Sequence, residues 1–256
     1  MKKLFFYLVT MGTLFSACKK DSKFSYEPKK ETVKKLPSKE MYNGRVLRTF
    51  DYDELNRLIR VDEPGIGNSW YNISYNNENA PIGLTSYFGT DTIVYQGDKV
   101  LIFNPNLAPP YLNDTTIITL NSKGEITLMR INGWQTSYPD KGTEYTYNSN
   151  GNLSRIFSRE YNESITIMYS SVLSIFRHVN TPDWFILSWN RISDNYSYSQ
   201  RGYMPAIILA PNPNFNNMYY TYELDSEGYG YVAKKILKDE NGKELSFLTY
   251  EYIPAN

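Results

Sequence analysis

The chain has 256 residues, in which 27 Lys and Arg balance 27 Asp and Glu. A hydrophobic fraction of 41% with 21% charged residues is typical of a folded domain and excludes a disordered chain. One cysteine and one histidine exclude a disulfide framework and a Cys-rich or multi-His metal centre, and we expect no metal and no cofactor.

The first residues have the pattern of an export signal. Lys2 and Lys3 precede an apolar stretch from Leu4 to Phe15, which is too short to span a bilayer core of about 30 Å as a helix. A serine and an alanine end the stretch, and the lone Cys18 follows. This arrangement resembles the lipobox of bacterial lipoproteins, which implies that residues 1–17 are a signal peptide and that Cys18 is lipidated. The alternative is an ordinary secretory signal with a chance cysteine.

Residues 18–40 are expected to form a basic tether. They contain eight lysines against four acids, and Pro28 and Pro37 oppose a helix. Because the whole chain is neutral, this excess and the two lysines of the signal leave residues 41–256 with six more acids than bases. The lysines act as a solvated linker or contact anionic lipid headgroups. An acidic body excludes nucleic acid as a partner.

Beyond residue 45 the sequence repeats a strand, turn and strand unit. Asn, Asp and Gly tolerate positive φ in the turn, and the aromatic and aliphatic residues on either side favour strands. In this pattern Gly151 is predicted to have positive φ, and Gln96–Lys99 is predicted to be a tight hairpin. Clear copies lie at residues 50–60, 120–128, 145–156 and 237–245.

Consecutive hairpins predict an all-β fold, which we expect to be one domain over residues 41–256. Short turns make sequence neighbours antiparallel, so the sheet is a strongly curved meander, barrel-like or half-barrel, of roughly ten to twelve strands. The best helix candidate, Trp184 to Ile192, is short and rich in strand formers, and it is interpreted as a strand. Ala206 to Leu209 is interpreted as a short buried strand.

Two segments resemble known families. The sequence FDYDELNRL at 50–58 resembles the YD repeat of Rhs-type and wall-associated surface proteins. The segment 219–229, followed by Lys234 and Lys235, resembles the closing strand pair of an uncharacterised family of Bacteroidetes lipoproteins whose domain is a porin-like curved antiparallel sheet. The resemblance implies a fold and an outer-membrane location and supplies no catalytic residue.

Few residues have a pattern that indicates catalysis. His178 follows an apolar run, and the chain has no nucleophile elbow of the GxSxG type. Acidic clusters at residues 51–54, 225–227 and 239–240 fall in predicted turns, where carboxylates cap backbone amides. A pair of carboxylates facing one sugar is the alternative interpretation of these clusters.

Aromatic residues make up 16% of the chain, and most tyrosines are expected to pack on the sheet. The segment 193–203 has few strand signals and combines flat rings with a fork-shaped donor, which suits a polar ligand. We predict that its ligand-binding residues are Tyr196, Tyr198, Arg201 and Tyr203. The alternative is that Tyr196 and Tyr198 share one face of an undetected strand.

Together these patterns favour an outer-membrane lipoprotein that acts as a non-catalytic binding or structural module for a glycan or an envelope protein. The charged stretch at 19–21 resembles the signal for the outer surface, and a periplasm-facing body is the alternative. A cell-envelope enzyme that acts on glycans through carboxylates is the second hypothesis. A transmembrane barrel is the third, and it is opposed by charged residues within the predicted strands: Arg48, Arg60, Arg130 and Arg155.

Overall fold

The computed structural model describes the following residues: 34–65, 67, 69–105, 115–132, 142–188, 203–209 and 217–256. They form sixteen strands and one short helix, α1, Asp183–Ser188. The strands in chain order are β1 Lys35–Tyr42, β2 Arg45–Tyr52, β3 Leu58–Glu63, β4 Ser69–Tyr75, β5 Pro81–Ser86, β6 Gly89–Gln96, β7 Lys99–Phe103, β8 Thr115–Leu120, β9 Ile126–Asn132, β10 Thr143–Tyr147, β11 Leu153–Ser158, β12 Glu163–Leu173, β13 Tyr203–Leu209, β14 Met218–Leu224, β15 Val232–Lys238 and β16 Glu244–Pro254.

The strands form one closed antiparallel barrel. Each strand pairs with its neighbours in sequence, and β1 pairs with β16, with Lys35 opposite Pro254. The predicted all-β antiparallel fold is confirmed. The expected ten to twelve strands and the half-barrel are wrong, since the described residues contain sixteen strands and the sheet closes. The turns at 76–80 and 87–88 do not fit the predicted pattern, because Pro81 follows the first in place of an aliphatic residue and the second consists of Tyr87 and Phe88, which favour strands.

Five hairpin turns share one geometry: residues 53–57, 76–80, 121–125, 148–152 and 239–243. The first residue of each turn is Asp or Asn, and its Oδ1 accepts the backbone N–H groups of the third and fifth residues at 2.9–3.1 Å. The fourth residue is Asn or Gly with φ between 59° and 79°, a conformation that these two residue types tolerate best. Gly151 holds this position with φ of 78°, which confirms its prediction. The hairpin at Gln96–Lys99 is also confirmed.

The two faces of the sheet differ in polarity. Phe50, Val61 and Tyr71 are cross-strand neighbours and all are buried, so this row faces the core. Side chains alternate between faces along a strand, and the next row therefore faces outward. That row consists of Asp51, Arg60 and Asn72. The barrel is thus apolar on its inner face and polar on its outer face in this region.

One end of the barrel is filled by the segment Ser174–Ser188, here called the plug segment. It follows β12 and contains α1, whose Trp184, Phe185, Ile186 and Leu187 are all buried. The strand expected over Trp184 to Ile192 is therefore wrong at 184–188, and residues 189–192 lie outside the described part. A helix that is buried on all sides shows no apolar stripe, which explains the missing period. Among the described residues no helix is long and apolar enough to cross a membrane.

The barrel begins earlier than expected. β1 starts at Lys35, so residues 35–40, expected in the tether, pair with β16. The register of this pairing shifts between Pro37 and Lys39, and strand prolines are confined to edges and such irregular sites. The lysine-rich composition concealed a strand whose Leu36 is 1% exposed.

Candidate functional site

The barrel has two different ends. At the plugged end β1 begins, β16 finishes and the plug segment enters. At the opposite end, here called the distal end, lie the turns of residues 43–44, 87–88 and 239–243.

Hydrogen bonds and ring contacts hold the plug segment in place. The backbone N–H of Asn180 donates to the carbonyl of Asn56 at 2.9 Å, beside the turn of residues 53–57. Phe176 meets Phe50 edge to face with ring centroids 5.7 Å apart, and Trp184 meets Tyr95 at 6.0 Å. Edge-to-face pairs of buried rings favour one packing arrangement. The plugged end is therefore closed by ordered side chains.

A buried cluster of three charged side chains lies on the inner face of the barrel. Arg48 of β2 contacts Oε2 of Glu40 at 2.7 Å through Nη1 and Oε1 of Glu63 at 3.1 Å through Nε, and all three side chains are at most 7% exposed. Burial works against the charged form of Arg48, but the attraction and hydrogen bonds of the two carboxylates outweigh it and raise the pKa of Arg48. Sequence reasoning missed this cluster. The cluster can be recognised only when Glu40 is placed on a strand opposite Arg48.

A cavity of about 380 Å³ lies near the distal end. Its walls come from the last strands of the barrel and from the first two, which β1–β16 pairing brings together. Lys235, Leu248 and Tyr42 are cross-strand neighbours in this wall. Lys235 is 2% exposed, and its Nζ lies 4.4 Å from the centroid of the Tyr220 ring. The cavity thus holds a buried cation among side chains that are mostly apolar.

The predicted lipidation residue Cys18 lies outside the described part of the chain, and so do Tyr196, Tyr198 and Arg201, three of the four predicted ligand-binding residues. Tyr203 is described and is the first residue of β13, not part of a loop. Its side chain is 38% exposed, and its backbone N–H donates to Oδ1 of Asn152 at 3.4 Å. The grouping of the four residues in one site stays a prediction.

The acidic clusters lie in turns, in agreement with the turn interpretation, except for Asp51, which belongs to β2. Asp53 and Asp239 are first residues of the shared turn geometry, and Oδ1 of Asp225 accepts the N–H groups of Gly230 and Tyr231. Burial opposes ionisation of Asp53, but its hydrogen bonds outweigh burial and lower the pKa of this carboxyl. The strongest of these comes from Arg57, whose side chain lies 2.6 Å from Oδ2. One oxygen of each of these carboxylates therefore accepts backbone N–H groups, and Asp53 also binds Arg57.

His178 lies in the plug segment, and its ring centroid is 6.3 Å from that of Tyr231. It is half-buried in the turn after β12. Within the described ranges no group of three or more His, Cys, Asp or Glu side chains could hold a metal ion.

Of the comparisons with known proteins, the one with solved structures found similar chains. No protein-family model matches the chain, and no curated protein sequence matches it. A porin-like protein from Bacteroides uniformis ATCC 8492 is 13% identical with a TM-score of 0.40, and the match covers 87% of this chain and 98% of that chain. A porin-like protein from Bacteroides vulgatus ATCC 8482 is also 13% identical with a TM-score of 0.40, covering 86% of this chain and 99% of that chain.

Proposed function

We propose that the chain is a lipid-anchored protein of a bacterial outer membrane, whose barrel acts as a non-catalytic binding or structural module in water. The observation that carries this proposal is the polarity of the barrel. Its outer face bears charged residues and ion pairs, its inner face is apolar around Phe50, Val61 and Tyr71, and the plug segment fills one end.

The outer face opposes insertion of the barrel into lipid. Arg60 binds Asp62 at 2.6 Å on this face, and Lys39 binds Glu251 at 2.6 Å across the β1–β16 pair. Strands β1 to β6 have six to eight residues, whereas a membrane-spanning strand needs about 9–11. Charged side chains on a lipid-facing wall cost about 2–4 kcal/mol each near the bilayer midplane for Arg and Lys. A separate anchor is consistent with such a surface.

The anchor is Cys18, at the end of the signal-like stretch. β1 begins at the plugged end, and Cys18 stands seventeen positions before Lys35 in the sequence. Seventeen residues reach at most about 60 Å even when fully extended, which is the greatest distance between the lipid and the start of β1. Two or more acyl chains give stable attachment. The charged residues 19–21 support exposure at the outer surface.

The geometry favours a module over an enzyme. Glu40 and Glu63 are carboxylates that converge inside the barrel, yet Arg48 binds both. Neither is among the described residues that line the cavity. A glycosidase needs one free carboxyl group as acid and a second as base or nucleophile. A glycan or an envelope protein is the ligand class we propose for the segment that ends at Tyr203.

Membrane attachment is tested by Cys18→Ala. We expect the wild-type chain to incorporate labelled palmitate and to sediment with outer membranes, and the variant to lose both properties. Ser22→Ala, four positions on, is the matched control and should behave as wild type. Labelling that persists in Cys18→Ala would contradict the proposal. Digestion by protease added to intact cells supports the surface location, and protection indicates a body that faces the periplasm.

A further inference from the structure

The cavity near the distal end is built for a ligand with an apolar body. Four hydrophobic residues of its lining come from β2, β14, β15 and β16: Leu47, Met218, Leu237 and Leu248. The ring of Phe247 packs against Lys234 on the other face of the sheet. A volume of about 380 Å³ falls at the lower end of the range for small-molecule sites. A ligand that fills it gains its affinity by removing apolar surface from water.

One group in this lining is charged. Among the described residues that line the cavity, Lys235 alone carries a charge, and the other polar groups are the hydroxyls of Tyr42, Tyr220 and Ser246. The ammonium lies over the Tyr220 ring, an arrangement that holds its position. An ammonium is able to donate charge-assisted hydrogen bonds to an anion.

The charged and apolar parts of the lining are arranged along the barrel axis. On β15, Leu237 lies two residues closer to the distal end than Lys235, on the same face of the sheet. Ser246 pairs with Leu237, and Leu248 pairs with Lys235. The cation therefore lies deeper in the barrel, and apolar side chains extend from it toward the distal end.

We infer that this cavity binds an amphipathic carboxylate, an acyl chain with one anionic head group. The carboxylate contacts Lys235, and the acyl chain lies along Leu237 and Met218 toward the distal end. A sugar does not fit this lining, because few polar groups would replace the water bound to its hydroxyls. The inference rests on the binding role proposed above and not on the lipid anchor.

Calorimetry with sodium decanoate as the probe tests this inference. The purified chain carries Cys18→Ala so that no acyl group of its own competes for the cavity. We expect saturable decanoate binding with one site per chain. Decyltrimethylammonium has the same chain length and the opposite charge, and it should bind at least about tenfold more weakly. Equal binding of the two probes, or no decanoate binding, would overturn the inference.

Two variants locate the site. Lys235→Met keeps the length of the side chain and removes its charge, and it should weaken decanoate binding about tenfold or more. Lys39→Met is the matched control on the outer face and should bind as the parent does. Ser246→Trp fills the cavity and should abolish binding even if Lys235→Met does not fold. Decanoate binding that is unchanged in folded Lys235→Met, or in Ser246→Trp, contradicts the assignment.

The two proposals fail separately. If Cys18→Ala releases the chain from membranes but the chain does not bind decanoate, the proposed anchor stands and only the proposed ligand is wrong. If the chain binds decanoate but is not lipidated, the proposed ligand of the cavity stands and the proposed anchor is wrong.

Discussion

Leu58 of β3 and Thr181 of the plug segment are joined by a hydrogen bond that spans 123 residues of sequence. The backbone N–H of Leu58 donates to Oγ1 of Thr181 at 2.8 Å. The hydroxyl of Tyr75 donates to the carbonyl of Leu58 at 2.7 Å and lies 2.8 Å from the Thr181 hydroxyl. Because the Tyr75 proton is directed at Leu58, the Thr181 hydroxyl donates to Tyr75 and completes a ring of three hydrogen bonds. This ring fixes the plug segment to the wall.

We expect Thr181→Val to destabilise the barrel by about 1–3 kcal/mol, since it leaves the buried amide of Leu58 without an acceptor. Urea unfolding measures this change. Thr166→Val is the matched control, because Thr166 is exposed on β12. Equal losses of free energy of unfolding in the two variants would contradict the role of the hydrogen-bond ring.

Gly151→Val should destabilise the hairpin of residues 148–152. The φ of 78° at Gly151 strains a β-branched residue, at a cost on the order of 1–3 kcal/mol. Ser149→Ala in the same turn should leave the melting temperature nearly unchanged. Gly151→Asn should fall between the two, because Asn56 and Asn79 hold the same position in other turns. If Gly151→Val is as stable as the wild type, the assignment of positive φ to residue 151 is wrong.

Asp53→Asn is expected to keep the turn of residues 53–57 and to remove its ion pair with Arg57. Asparagine begins the equivalent turns at Asn76, Asn121 and Asn148, so the backbone hydrogen bonds should survive. The pKa of Asp53 is lowered in the folded state, so the stabilisation is present above the unfolded carboxyl pKa and is lost as pH falls through the folded value. We expect the free energy of unfolding of the wild type to exceed that of the variant by on the order of 1 kcal/mol at pH 7, and the difference to disappear as pH falls through the folded pKa of Asp53. A difference that is constant with pH would exclude the ion pair as its source.

Arg48→Met should be among the most destabilising changes in the barrel. It removes the cation that holds Glu40 and Glu63, and it leaves two carboxylates buried without it. Breaking a buried pair in this way costs about 3–5 kcal/mol. Arg60→Met breaks a partly exposed pair on the outer face and should cost no more than about 1 kcal/mol. Similar denaturation midpoints for the two variants would argue against a tightly coupled cluster.

The triple change of Tyr196, Tyr198 and Tyr203 to Ala tests the predicted ligand-binding residues. On the binding hypothesis it leaves the melting temperature nearly unchanged and abolishes capture of envelope glycans or proteins by the immobilised chain. Tyr203→Ala alone should have little effect on folding, since this tyrosine is partly exposed at the start of β13. If the triple variant unfolds, the rings belong to the core and the hypothesis is wrong.

Local chemistry explains which parts of the fold could be predicted. A turn that begins with Asp or Asn and has Gly at its fourth position is visible in five residues of sequence, as at Asn148 and Gly151. The turn of residues 76–80 has Asn79 at the fourth position, as the predicted turn of residues 53–57 has Asn56. It is followed by Pro81, whereas Leu or Ile follows the turns at 53–57, 121–125 and 148–152, so the strand after it is not recognised. The sequence predicts a strand at helix α1, because a short helix that is buried on all sides shows no helical period of apolar residues.

Long-range features could not be predicted from local patterns. Glu40 stands in a lysine-rich stretch, and its burial depends on pairing with Tyr250, 210 positions later. The cavity likewise combines Tyr42 and Leu47 with residues 218–248. Nothing near either end of the sequence indicates that these segments are neighbours. The charged interior and the cavity are both products of barrel closure.

Closure by β1 and β16 also constrains how the barrel folds. β1 is synthesised before the other described strands and β16 after them, so one edge of β1 stays unpaired until β16 has been made. Unpaired edges recruit other chains, and contacts of such high sequence separation form slowly. A chain that stops before Glu244 exposes the edges of β1 and β15 at once, and it should aggregate where the full chain folds.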